Sequence, residues 1–133
     1  MASVLAVAAV LSPALHEDDG YPLSTYPMFS HDRGRVAVID TAVGFDAAGG
    51  RHRLDPTRIA GGMEVIRAAV TVSRSIRAGD TAALCAEIAE RERGRAELVR
   101  IEVVSETHDV VDFFEVSKTP LAVQVHAACE VPR

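Results

Sequence analysis

The chain has 133 residues and a formal net charge of −5 at pH 7, with 48% hydrophobic and 25% charged residues. This composition excludes wholesale disorder, and the length predicts one domain with a core of its own. No run of Lys and Arg is interleaved with aromatic residues, so the sequence offers little electrostatic support for binding nucleic acid.

Residues 1–20 form an apolar N-terminal segment, in which Met1–Leu15 carries no charged side chain. As a helix, Met1–Leu15 would span about 22 Å, less than the ~30 Å hydrocarbon core of a bilayer. Three interpretations stay open: the end of a membrane anchor that begins upstream, a buried helix, or a processed signal segment. The acidic run from Glu17 to Asp19 favours an extracytoplasmic domain, because cytoplasmic flanks more often carry Lys or Arg. If the segment is a buried helix, we expect a cytoplasmic protein.

The next stretch, Tyr21–Ser30, contains two Tyr-Pro steps and is called the strap below. Each proline fixes its own φ and disfavours the helical region for the preceding tyrosine, so the strap is predicted to be extended. We expect it to be ordered by side-chain burial, with Met28 or Phe29 packing under the sheet or against the first helix. The expected interaction residues of the strap are Tyr21, Pro22, Leu23, Tyr26, Pro27, Met28 and Phe29.

The string from Pro22 to Ser30 resembles a signature of small, uncharacterised bacterial membrane-anchored proteins. In those proteins a hydrophobic helix runs into Pro-Leu-Ser-Thr-Tyr-Pro-Met-Phe, and some are encoded near membrane proteins that resemble the vitamin K-dependent carboxylase. A weaker similarity covers the Cys-containing C-terminal hairpin. The resemblance implies a membrane location and a neighbouring integral membrane protein as partner, and it implies no activity.

Residues 21–133 are predicted to form a single α+β domain that begins with a hairpin. The segment Arg35–Asp46 predicts a strand, since alternate residues share one face: Ala37, Ile39, Thr41, Val43 and Phe45. Gly49 and Gly50 suit the turn, and Arg51–Leu54 predicts a short edge strand that stops before Pro56. The glycine pairs lack the spacing of phosphate-binding loops, so we interpret them as turns.

Two helices are predicted in the middle of the chain. The first follows Gly61 and Gly62 and carries an apolar stripe made of Val65, Ile66, Ala69, Val72 and Ile76. The second begins after Asp80, a suitable N-cap, and ends near Gly94. Its apolar face contains Leu84, Cys85, Ile88 and Ala89.

Two long strands complete a predicted ββααββ order, with a mostly antiparallel four-stranded sheet and both helices on one face. In the first of them an inward face is predicted for Val99, Ile101, Val103, Ser105 and Thr107, and an outward face for Arg100, Glu102, Glu106 and His108. After a turn at Ser117–Pro120, the second is predicted to continue the inward face with Leu121, Val123, Val125, Ala127, Cys129 and Val131, leaving Gln124, His126 and Glu130 outward.

Cys85 and Cys129 both lie on predicted core-facing stripes, so their thiols point into the same layer. An extracytoplasmic domain would favour a disulfide between them, and a cytosolic one two buried thiols. They are too far apart in sequence for a CxxC redox motif, and two cysteines alone do not make a zinc site.

A hairpin centred near Ser117 would place His108 opposite His126 on the outer face, flanked by Glu106 and Glu130. Two imidazoles and a carboxylate can hold a transition metal. A register slip of two residues removes this pairing, however, so we expect solvated surface residues here and no metal.

No Ser-His-Asp set is recognisable, and Glu102 and Glu106 are expected on an exposed strand face without the desolvation that tunes a catalytic carboxylate. We therefore expect no catalytic residues and no cofactor, and a membrane-anchored accessory domain that binds a partner. The alternative is a small-ligand carrier or an enzyme that uses the concave face of the sheet. A deep pocket lined by Phe45, Phe113 and Phe114 would favour that alternative.

Overall fold

The computed structural model describes Val7, residues 34–95 and residues 97–133. The chain divides into two units, Met1–Gly34 and Arg35–Arg133. In chain order the second unit contains β1 Val36–Phe45, β2 Arg51–Arg53, α1 Pro56–Ala60, α2 Val65–Ala78, α3 Thr81–Arg91, β3 Arg100–Asp109, α4 Val110–Glu115 and β4 Ala122–Glu130. Apart from Val7, the predicted N-terminal segment and the strap lie outside the described residues.

The four strands form one antiparallel sheet with the spatial order β2-β1-β3-β4. The predicted α+β class with a four-stranded antiparallel sheet and helices is therefore confirmed. The central pair, β1 and β3, is long and in continuous register from Val36↔Asp109 to Phe45↔Arg100. No helix within the described ranges is long and apolar enough to cross a bilayer.

Two short helices, α1 and α4, were not predicted from the sequence. Asp55 begins α1, because its carboxylate accepts a hydrogen bond from the Arg58 amide and Pro56 occupies the first turn. Asp109 begins α4 in the same way and accepts from the amides of Val111 and Asp112. Both helices start from a local side-chain cap rather than from an apolar stripe, which explains why periodicity does not reveal them.

The core lies between the sheet and the helices α1, α2 and α3. On α3 the predicted apolar face is confirmed, since all four of its residues are buried. On α2 the prediction is partly wrong: Val65 and Ile66 are 70% and 79% exposed, and the buried residues are Ala68, Val72 and Ser75. The helix begins at Val65, and its buried residues follow the i, i+4, i+7 spacing of a single helix face. Asp80 precedes α3 as expected, but its side chain makes no capping hydrogen bond.

A β-bulge changes the facing of β4. The β3–β4 register shifts between Val103 and Val104, which pair with Ala127 and Val125 and leave His126 as the extra residue. Ala127 and Cys129 therefore pack against the core, whereas Val123 and Val125 share the opposite face with their β3 partners. The predicted continuous inward face of β4 is wrong, because one extra residue inverts every side chain beyond it.

Cys85 on α3 and Cys129 on β4 lie on the core side of the sheet, where Cys85 is fully buried. Their sulfur atoms are 2.06 Å apart and their Cα atoms 6.1 Å apart, across a sequence separation of 44. A disulfide thus joins helix α3 to the edge strand β4.

Candidate functional site

Four polar residues converge on the sheet face that is turned away from the helices. The β1–β2 register pairs Arg53 with Val43 and Arg51 with Phe45. The β1–β3 register pairs Glu106 with Ile39, two residues before His108 on the same face. Because directly paired residues share a face and side chains alternate along a strand, all four lie opposite the helix-covered face. We call Arg51, Arg53, Glu106 and His108 the charged cluster.

The carboxylate of Glu106 is the centre of the charged cluster. Its Oε1 accepts from Nη2 of Arg51, and its Oε2 accepts from Nη2 of Arg53 at 2.7 Å. Nε2 of His108 lies 2.8 Å from the same Oε2, so this nitrogen donates. Glu106 has no exposed side-chain surface, whereas the Arg51 and Arg53 side chains are 32% and 45% exposed. The expectation that Glu106 and His108 are solvated outward residues is therefore wrong.

Burial by itself raises the pKa of Glu106, because desolvation disfavours the charged form. The hydrogen bonds from Arg51 and His108 and the charges of the two arginines outweigh burial, so the pKa lies below its ordinary value. Glu106 is thus a carboxylate at neutral pH. It orients both guanidinium groups, which is the arrangement of an anchored cationic pair rather than of a general acid.

An aromatic residue of helix α4, Phe113, borders the charged cluster. The ring of Phe113 meets His108 edge to face at 5.1 Å between centroids. The guanidinium of Arg53 lies 5.5 Å from the Phe113 centroid, and Nζ of Lys118 lies 5.8 Å from it. Arg35 secures the start of α4 through ion pairs to Asp109 and Asp112. The Phe113 ring therefore contacts His108, Arg53 and Lys118, and so brings a further cation from the loop before β4 beside the charged cluster.

The metal-binding set considered in the sequence analysis, His108 and His126 with Glu106 and Glu130, is not assembled. His108 pairs with Ala37 on β1, while His126 occupies the bulge and turns its ring to the helix-covered side. Glu130 pairs with Arg100 at the far end of β3. Across residues 34–95 and 97–133, no three residues among His, Cys, Asp and Glu are grouped so that they could hold a metal ion.

The structure does bring a serine, a histidine and an aspartate together on the helix-covered face, which sequence reasoning missed. Ser105 donates to Asp40 at 2.6 Å and lies 2.8 Å from Nε2 of His126, and Ser73 of α2 donates to the other oxygen of Asp40. A serine hydroxyl has one proton, which here goes to the carboxylate, so His126 is the donor to Ser105. A nucleophilic serine needs the reverse, with its proton directed to the histidine. These residues instead link α2, β1, β3 and β4.

The three phenylalanines whose pocket would favour the alternative function are not brought together. Phe113 and Phe114 meet edge to face at 5.3 Å, and Phe114 is 84% exposed. Phe45 lies at the other end of β1, beneath the guanidinium of Arg100 at 4.3 Å. The strap residues fall outside the described part of the chain, so their predicted contacts stay predictions.

Comparison with known proteins adds no family to this picture. Neither a scan against protein-family models nor searches of curated proteins and of solved structures finds a significant match. Function is therefore argued from the chemistry of the residues themselves, and the charged cluster is the candidate functional site.

Proposed function

We propose that the chain is a membrane-anchored accessory domain on the extracytoplasmic side, and that it binds a neighbouring integral membrane protein without catalysing a reaction. The observation that carries the proposal is the pair Cys85 and Cys129, whose sulfur atoms lie at bonding distance. Disulfides persist in oxidising compartments and are rare in the cytosol. The charge-free Met1–Leu15 and the acidic residues after it support the same location.

The strap provides the proposed contact with the partner. Its resemblance to the signature of bacterial membrane-anchored proteins supports a role beside the membrane, where the amphipathic rings of tyrosines suit the interface. We expect Tyr21→Ala to weaken co-purification with the neighbouring membrane protein, with Phe114→Ala on α4 as a control for loss of an exposed aromatic ring.

Localisation and thiol state test the proposal together. The full gene product is expressed in its host, fractionated and digested without reduction after free thiols have been alkylated. We expect recovery in the membrane fraction and a linked peptide pair that contains Cys85 and Cys129. Recovery wholly in the soluble cytosolic fraction, with both thiols alkylated, would contradict it.

A second candidate function, binding of a small ligand on the sheet, is favoured by the charged cluster. A buried carboxylate that orients two partly exposed arginines resembles the way proteins hold a ligand-binding side chain in place. The two candidate functions are tested by different measurements. The first predicts where the protein is located, and the second predicts binding of a ligand from solution.

A further inference from the structure

We infer that Arg51 and Arg53, together with Lys118, bind a small oxyanion: a phosphate or carboxylate group, either free or carried by a lipid headgroup. The inference names the ligand class for the second candidate function above and rests on that candidate. It is independent of the proposed membrane location. The residues involved lie on β2 and in the loop before β4, on the rim of the sheet face opposite the helices.

The two arginines are held in place before any ligand arrives. Glu106 lies within β3, paired with Ile39 on one side and Val123 on the other, and its carboxylate is fully buried. Each arginine gives one nitrogen to it, so both guanidinium groups are fixed to the same rigid point. A flexible arginine loses conformational entropy when it binds an anion, and prior orientation reduces that cost.

Most of the donor capacity of these arginines is left for a second anion. A guanidinium has five N–H groups in a planar fork. Within the described ranges, hydrogen bonds to carboxylates use only Nη2 of Arg51 and Nη2 of Arg53, which leaves both Nε and both Nη1 for other acceptors. Side-chain exposures of 32% and 45% make these groups accessible to solvent. Phosphate and carboxylate are the acceptors that fit such forks.

The charge balance of this cluster differs from that of three other ion-paired arginines. Arg93 pairs with Glu90, Arg100 with Glu102, and Arg35 with two aspartates, so each of these cations has at least one carboxylate of its own. Arg51 and Arg53 instead share Glu106, and Lys118 is added beside Phe113. Two arginines against one carboxylate leave a surplus of +1 within this ion-paired group, and Lys118 adds a further cation beside Phe113, on a chain whose net charge is −5. An anionic ligand relieves that surplus.

The test is a calorimetric titration of the full chain in detergent micelles with inorganic phosphate and, separately, with acetate. Ionic strength is held constant with sodium chloride, because general screening alone must not produce a signal. We expect saturable binding of at least one anion by the parent. Arg53→Gln should weaken it about tenfold, the order expected for loss of a charged hydrogen bond. Arg93→Gln is the matched control, since it removes an exposed, paired arginine just beyond the end of α3.

Lys118→Gln keeps the inference testable if Arg53→Gln fails to fold. Lys118 is exposed and contacts the ring of Phe113 rather than Glu106, so its loss leaves the ion pairs of the cluster intact. We expect several-fold weaker binding. Arg53→Lys should fall between the parent and Arg53→Gln, because it retains the charge and loses the planar fork.

Vesicles separate the two sources of the anion. The full chain is mixed with phosphatidylcholine vesicles that contain or lack phosphatidic acid. Phosphate binding without a preference for phosphatidic acid supports a free anion as ligand, and a preference that Lys118→Gln removes supports a lipid headgroup. Absence of saturable binding to either anion and to the acidic vesicles, or equal losses in Arg53→Gln and Arg93→Gln, would overturn the inference.

Discussion

On the face of the sheet beneath α2 and α3, β3 buries Ile101 and Val103 against Ile88 in an apolar core. On the opposite face the same strand buries Glu106 and His108 just as completely, but against arginines. Apolar burial is favourable and has no directional requirement, whereas a buried carboxylate must recover its desolvation cost through oriented partners. The comparison indicates that the helix-covered face supplies stability and that the opposite face fixes the geometry of charged groups.

The polar network on the helix-covered face sharpens this contrast. Asp40, Ser73, Ser105 and His126 satisfy one another between the helix α2 and three strands. Each oxygen of Asp40 accepts one hydroxyl, so these hydrogen bonds serve the packing of α2 on the sheet. In the charged cluster, by contrast, the arginines have accessible donors left over.

Removing the disulfide should have the largest effect and would show how much the helix-covered face depends on it. Replacing both Cys85 and Cys129 by Ser opens a loop of 44 residues, for which chain entropy gives a loss of about 4 kcal/mol in the free energy of unfolding. Urea unfolding of the parent and the double variant measures it. A parent whose unfolding midpoint does not respond to reductant would contradict the expected bond.

Truncating the apolar core should come next. Ile88 has no exposed surface, so Ile88→Ala should lower the free energy of unfolding by about 3 kcal/mol through lost burial and a residual cavity. Ile66→Ala is the matched control on α2, where the side chain is 79% exposed, and should change it by less than about 0.5 kcal/mol. Equal losses in the two variants would mean that the core is wrongly placed.

Breaking the polar network should cost less. Ser105→Ala removes the hydroxyl that donates to Asp40 and accepts from His126, and leaves both partly buried groups short of a partner. We expect a loss of about 1–3 kcal/mol in the free energy of unfolding. Ser117→Ala, in the exposed loop before β4, removes only two local hydrogen bonds with Thr119, one donated to its hydroxyl and one accepted from its amide, and should be close to neutral. Thermal unfolding compares the two variants with the parent.

The smallest expected effect is a change in the pH dependence of stability. The pKa of Glu106 is lower in the folded chain than its ordinary value of 4.5, so ionised Glu106 stabilises the fold above that pH. This contribution is lost as the pH falls below 4.5 and through the folded value. Glu106→Gln should therefore lose less stability than the parent over that range. Asp46 and Asp109, whose pKa values are also lowered, are present in both proteins, so the difference between the two curves isolates Glu106. Parallel curves would contradict the assignment.

Periodicity predicts much of this fold, because it reports which side chains leave water. It identifies the β1 alternation, the apolar face of α3 and the core-facing positions of both cysteines. It does not reveal the bulge at Val103 and Val104, since a one-residue insertion changes pairing without changing composition. The face of β4 beyond that point was therefore assigned incorrectly.

The charged cluster was missed for a different reason. A glutamate at an alternate position of a strand has the pattern of a solvated face, and only its neighbours in space show that it is buried. A usable signal was present in the sequence, namely two i, i+2 pairs of polar residues on strands: the cations Arg51 and Arg53, and Glu106 with His108. Predicting that these two pairs meet in space requires knowing that β1 lies between β2 and β3, and this strand order is a property of the topology.

The division of roles between the two faces is tested most directly by measuring phosphate affinity and melting temperature on the same two variants. Ile88→Val trims the core by one methylene and should lower the melting temperature by several degrees, for a loss of about 1 kcal/mol, while phosphate affinity stays at the parent value. Lys118→Gln should do the opposite, with weaker phosphate binding and an unchanged melting temperature. If either variant shifts both quantities together, the two faces are not separate in function and the account is wrong.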